Sequence, residues 1–209
     1  MAKNKNKIHI SPRGVFMYPC LVKPDYEMTA KGSYHVDLRV SAEEGAPLKE
    51  MIDDAYEAHY KAACAGQGKK LKRGEPAYSV DGETNEIIFK FKKNASYIDK
   101  DTNETVMTGI SVKTNEKVDG KFKDFPEGVD IWSGTVGRVA FTIYPYLFQG
   151  KAGVRLNISG VKVLDLVTGG DGNYFGDEDD DYVSENISEA DGCADAGEHA
   201  EEADGDGDF

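Results

Sequence analysis

Three aromatic rings and a cation fall within one short stretch, Tyr144-Pro145-Tyr146-Leu147-Phe148-Gln149-Gly150-Lys151, and Arg155 follows closely. Further cations cluster at Lys3, Lys5 and Lys7, at Lys69, Lys70, Lys72 and Arg73, and at Lys90, Lys92 and Lys93, with Tyr97 just behind the last group. Exposed rings stack on unpaired bases, worth ~1–3 kcal/mol each, while cations hold the phosphates between them. These residue types together point to single-stranded nucleic acid as the ligand.

Pro145 is expected to interrupt a strand, so that some of Tyr144, Tyr146 and Phe148 project from a turn. Tyr146 is then a candidate stacking ring. The alternative is that Tyr144 and Phe148 merely cap the mouth of a barrel. Trp132 reads more readily as a barrel plug than as a platform, and Lys69 to Arg73 is either a phosphate contact or a solvated loop.

Catalytic chemistry finds no support. The four histidines, His9, His35, His59 and His199, are scattered without metal-ligand spacing, and His59 fits the apolar stripe of a helix. Gly169 to Phe175 resembles a calcium-binding nonapeptide, but Tyr174 stands where the motif needs Asp. Asp177, Asp179 and Asp181 imitate an EF-hand loop, but Tyr182 takes the place of its turn glycine and Ser188 that of its last ligand. Cys20, Cys64 and Cys193 are odd in number and far apart, which suits neither a disulfide framework nor zinc. No enzyme, metal or cofactor is expected.

Net charge argues against a polyanion ligand until the charges are located. The chain of 209 residues has 38 acids against 25 bases, a net −13. Sixteen of those acids lie from Asp171 to Phe209, a stretch without Lys or Arg, so residues 1–170 carry 22 acids against 25 bases and a net +3. A mildly cationic body is joined to a polyanion, which, being tethered, can compete with DNA for the same groove at high effective concentration. The tail ends Asp204-Gly205-Asp206-Gly207-Asp208-Phe209, an aromatic among carboxylates that a basic partner pocket could grip.

The elements that must position these residues follow mostly from period-two alternation. Tyr34, Val36, Leu38 and Val40 share one face of a strand, and Ile87, Phe89 and Phe91 share another, which puts Phe89 and Phe91 in the core and turns Lys90 and Lys92 outward. Leu156 and Ile158 repeat the pattern, and strands are expected near Val15 to Val22, Val106 to Lys113, Val136 to Tyr144 and Gly160 to Val167. Leu48, Met51, Ile52, Ala55, His59, Ala62 and Ala63 recur at helical spacing instead, predicting one amphipathic helix of about five turns, starting near Ala46 with Pro47 in its first turn and stopping at Gly66 or Gly68. The expected fold is all-β: an OB-fold-like five-stranded barrel with one helix over residues 1–170, a sandwich being the alternative, followed by a disordered acidic tail over 171–209. With no apolar run of membrane-spanning length, a soluble cytoplasmic protein is expected.

The ordered blocks Met1-Ala2-Lys3, Lys23-Pro24-Asp25-Tyr26, Tyr34-x-Val36-Asp37-Leu38, Phe89-Lys90-Phe91-Lys92, Ala95-Ser96-Tyr97-x-Asp99-Lys100, Pro145-Tyr146 and Glu201-Glu202-Ala203-Asp204-x-Asp206-Gly207-Asp208-Phe209 resemble the single-stranded DNA-binding proteins of lytic short-tailed phages of the autographivirus type. The resemblance implies an OB-fold homodimer that binds and anneals single strands during replication, recombination and repair in the cytoplasm of the infected bacterium. It also implies a tail that contacts the phage DNA polymerase and helicase-primase. By position, Tyr146 becomes the stacking ring, Lys3 a phosphate contact and Phe209 the tail anchor. The rival is an acidic-tailed interaction module, a chaperone or DNA mimic, whose body never touches DNA.

Overall fold

Residues 33–40 and 87–94 alternate strictly between core and surface, and each forms a strand. The computed structural model describes residues 7–27, 29–99 and 101–168; Lys3, Lys5, Cys193 and the acidic tail, including Asp204, Asp206, Asp208 and Phe209, lie outside these. Among the described residues twelve strands and one helix occur in the order β1 (His9–Ile10), β2 (Gly14–Asp25), β3 (Ser33–Val40), α1 (Ala42–Gln67), β4 (Lys72–Arg73), β5 (Tyr78–Val80), β6 (Ile87–Asn94), β7 (Ser96–Ile98), β8 (Thr105–Met107), β9 (Ser111–Val118), β10 (Lys121–Asp124), β11 (Val136–Phe148) and β12 (Lys151–Asp165). Among the described residues no helix is long and apolar enough to cross a membrane.

Five of these strands close a ring. β2 pairs with β3, β3 with β6, β6 with β12, β12 with β11, and β11 returns to β2 through Val136 opposite Val15 and Gly137 opposite Gly14. β6 and β12 run parallel; the other ring pairings are antiparallel. Of the seven further strands, β1, β4, β5, β9 and β10 extend the ring's sheet and β7 and β8 make a separate hairpin; β1, β4, β5, β7 and β10 were not anticipated. The strand expected over Val106 to Lys113 is broken between β8 and β9, while the two expected over 156–167 form the single β12.

Inside the ring Phe16, Val36, Leu38, Phe89, Phe91, Val139, Phe141, Leu156 and Ile158 are buried, with Phe91 edge-on to Phe141 at 5.1 Å. Each such side chain contributes about 1.5–3 kcal/mol on leaving water. Phe16 lies so close over β11 that a Cβ at Gly137 would come within 2.3 Å of its Cζ, so this position must remain side-chain-free.

The helix begins earlier than its apolar periodicity suggests. Ser41-x-x-Glu44 reads as a capping box discounted because Gly45 and Pro47 follow it, yet Ser41 is the N-cap, its hydroxyl accepting from the Glu44 amide at 3.4 Å, and α1 runs about seven turns. Pro47 therefore sits inside the helix, not in its first turn. Gly45 is tolerated before it because the helix packs tightly there: a Cβ would lie 3.0 Å from Ile87 Cδ1. Gly68, left-handed at φ 62°, closes the other end. Leu48 and Ile52 bury the apolar stripe.

Pro145 does not interrupt β11. Past Phe141 this strand pairs, among the described residues, only with β12, an edge where a missing N–H is tolerated. The chain instead reverses at Gln149 and Gly150, both at positive φ, 47° and 74°, the left-handed pair that suits a two-residue hairpin.

Candidate nucleic-acid interface

The β11–β12 hairpin sets its side chains by simple alternation. Tyr144, Tyr146 and Phe148 share the face of β11 turned away from the core, opposite Arg155, Gly153 and Lys151 of β12. Phe148 is 65% exposed and Tyr144 42%. The Arg155 guanidinium covers the Tyr144 ring at 4.6 Å, a cation–π pair that presents both a charge and an aromatic edge. Tyr146 is half-buried: it lies across Gly153 and reaches Gly74, where its hydroxyl would stand 2.6 Å and 2.5 Å from added Cβ atoms. Burial raises the Tyr146 phenol, with Tyr56 and Glu75 adding to the rise. From behind, His59 Nε2 meets the Tyr146 carbonyl at 2.9 Å, so His59 has the structural role that the helical stripe implied.

The loop after α1 comes to this hairpin. β4 pairs in parallel with the start of β12, Lys72 beside Lys151 and Arg73 beside Ala152. Lys72 and Lys151 are both exposed and stand at the tip with Phe148, and the exposed Lys69 and Lys70 lie just before β4. Arg73 is engaged elsewhere: it makes a two-pronged contact with the Glu57 carboxylate and stacks over Tyr60 at 4.5 Å and Tyr56 at 5.5 Å. The Glu57 hydrogen bond holds the guanidinium pKa well above its usual range. Its charge is thus partly spent within the fold.

On β6, which neighbours β12, Lys90 and Lys92 face outward as the alternation predicted, with Phe89 and Phe91 in the core. Lys92 is in register with Asn157 of β12, so Lys90 and Arg155 share the same outer surface. On β3 the opposing residues are His35 and Asp37. Burial raises the Asp37 carboxyl, against the lowering effects of Lys90 and His35. Lys93 points elsewhere and donates to the Gly109 carbonyl at 2.6 Å. Tyr97, on the β7–β8 hairpin, is exposed but stands at the opposite end of β6 from the hairpin tip. Lys7 lies on another side, lining a hollow with His9, Met51, His59, Ile143 and Pro145.

Two aromatics were misjudged or missed. Trp132 is 51% exposed, so it is not the plug of a barrel. Tyr18 is exposed at a β-bulge in β2, held in the left-handed region at φ 49° with its amide donating to the Ser133 hydroxyl at 2.9 Å. Period-two alternation gives no warning of a bulge, since it assumes an unbroken strand.

A cationic, ring-bearing sheet face on a five-strand circuit defines a class of nucleic-acid-binding protein, and sequence comparison narrows it. The family model described as single-stranded DNA-binding protein, bacteriophage T7, matches residues 14–166, and the chain belongs to this family, one of binding proteins without enzymatic activity. It is 31% identical over 229 residues to the single-stranded DNA-binding protein of Escherichia phage T7, covering 92% of this chain and 94% of that one. It is 29% identical over 206 residues to the corresponding protein of Enterobacteria phage T3, covering 87% and 86%. Among solved structures it resembles the T7 protein gp2.5, with TM-score 0.67, 28% identity and coverage of 80% of this chain and 91% of that one. The single-stranded DNA-binding protein of phage Enc34, solved in complex with single-stranded DNA, superposes with TM-score 0.53 at 13% identity over 76% of this chain and 86% of its own, a likeness of fold. The family expected from the sequence blocks is borne out.

Proposed function

We propose that this chain binds single-stranded DNA without sequence preference during phage DNA replication, recombination and repair, and anneals complementary strands. The observation that carries this reading is the Tyr144–Arg155 pair on the outer face of β11–β12, in line with Lys90 and Lys92 and ending at Phe148, Lys72 and Lys151. Unstacked bases lie on Tyr144, Tyr146 and Phe148, and phosphates run along Lys69, Lys70, Lys72, Lys90, Lys92, Lys151 and Arg155. Lys93, Arg73, Tyr97 and Lys7 are peripheral contacts in this scheme, and Lys3 and Lys5, outside the described residues, are phosphate contacts on the sequence alone. No hydrogen-bonding pocket for a particular base is needed, because stacking and phosphate contacts tolerate every sequence.

In the same reading the closed five-strand circuit is an OB-fold barrel, residues 1–170 are the DNA-binding body and 171–209 a functional tail. The tail's polyanion competes with DNA for the groove, and its end, Asp204, Asp206, Asp208 and Phe209, recruits the phage DNA polymerase and helicase-primase. The protein works as a homodimer in the cytoplasm of the infected bacterium. An acidic-tailed interaction module is disfavoured by the rings on the β11–β12 face, which a body that never meets DNA would gain nothing by exposing.

The test compares full-length protein with a chain ending at Thr168 on a labelled oligonucleotide. Truncation is expected to tighten binding most at low salt and to abolish capture of the polymerase. Equal affinities at fixed low salt would refute the competition, and loss of all binding by both forms would favour the interaction module.

A further inference from the structure

Beyond Asn157 the outer face of β12 carries an unusual charge arrangement. Arg138 of β11 lies directly opposite Lys162 of β12, and Lys162 is in register with Lys113 of β9. Three cations thus stand side by side across three adjacent strands. Like charges directly opposite each other weaken a sheet. Only Lys113 has a carboxylate partner, Asp124; Arg138 and Lys162 form no ion pair among the described residues. A sheet selected for stability alone would place a carboxylate in that row.

An aromatic ring stands beside this row. Phe122 of β10 is partly exposed, with Lys162 Nζ 3.7 Å and Lys117 Nζ 5.1 Å from its centroid. Between Phe122 and Ile10 runs a trough of about 380 Å3 floored by Ala140 and Gly160, residues too small to fill it. It opens on the same outer face as Tyr144 and Arg155, and from Lys151 to Lys162 that face extends about 36 Å at ~3.3 Å per residue.

We infer that the single-stranded nucleic acid continues along β12 to this trough, where a base lies on Phe122 and its phosphates are held by Arg138 and Lys162, the two cations of the row without a carboxylate partner among the described residues. The inference rests on the function proposed above and assigns a second aromatic station to the same strand. A second copy of the chain is a poor occupant, because a two-fold contact would set the row of cations against itself.

The experiment titrates full-length protein and its Phe122→Ala, Phe122→Leu and Arg138→Glu variants with labelled oligothymidylates of about four and about sixteen nucleotides, the span of OB-fold sites, across ionic strengths. On the long oligonucleotide Phe122→Ala and Phe122→Leu should each weaken binding about 5- to 150-fold. Arg138→Glu should flatten the salt slope by ~0.7 or more. On the short one all should match the parent, which needs only the Tyr144 face. Arg138→Glu should melt no lower than the parent, since it makes an opposite-charge pair with Lys162, so its lost affinity cannot be unfolding. Parent-like affinity of Phe122→Leu and Arg138→Glu on the long oligonucleotide overturns the inference, as does an effect confined to sedimentation, which would make this face a contact between copies. Failure of the parent itself to bind either oligonucleotide would instead overturn the proposed function.

Discussion

The Arg155 guanidinium lies 4.6 Å from the centroid of the Tyr144 ring, its cross-strand partner. A base can stack on the exposed side of such a ring while the cation meets the adjoining phosphate, so the two halves of the ligand are read by one pair. Tyr144→Ala should weaken binding to single strands by ~1–3 kcal/mol, with little change in melting temperature because the ring is outside the core. Fluorescence titration and a thermal melt check this together. An unchanged affinity would remove Tyr144 from the interface.

Arg73 shows how a nearby cation can be withheld. Its two-pronged contact with Glu57 occupies the guanidinium, with Tyr56 and Tyr60 beneath it. Glu57→Gln should free the charge near the tip of the hairpin and steepen the salt dependence of binding by ~0.7. The check is the slope of log affinity against log salt; a slope equal to the parent's would show that Arg73 does not reach the DNA even when released.

Tyr146 is less exposed than Tyr144 and Phe148, being wedged between Gly74 and Gly153 with burial raising its phenol. Tyr146→Ala should lower affinity with only a modest fall in melting temperature, since the ring lies on the outer face. A large fall with affinity intact would make it a brace for β4 and β12.

Asp37 gives a pH signature. Burial raises its carboxyl in the folded state, so its contribution to stability is fullest below the unfolded value of ~3.9 and is lost as the pH rises through the folded value. Asp37→Asn should therefore melt higher than the parent at about pH 7, and the difference should close as the pH falls from the raised folded value to the ordinary carboxylate value. A variant that melts lower at neutral pH would mean that the contact with Lys90 outweighs the cost of burial.

Much of the frame was legible because burial writes itself into period two. Val36, Leu38, Phe89 and Phe91 face the core as their alternation requires, and Lys90 and Lys92 face outward. What escaped depends on tertiary context. Pro145 reads as a break unless β11 is known to be an edge there, and Ser41 reads as a spurious cap because Gly45 and Pro47 follow it. The β9–β10 hairpin carried a usable signal, Asp119-Gly120, both at positive φ, 50° and 76°, between strands rich in Lys. The meeting of Lys72 with Lys151 is a long-range pairing that no local pattern announces.

The most direct measurement is a salt titration of the parent and a Tyr144→Ala/Arg155→Gln/Lys151→Gln variant on one labelled oligonucleotide. The expected result is a steep negative slope of log affinity against log salt for the parent, reduced by ~1.4 in the variant for its two lost cations at ~0.7 each, with affinity also lower at every salt. A parent that binds with no salt dependence, or a variant indistinguishable from it, would contradict DNA binding on the β11–β12 face.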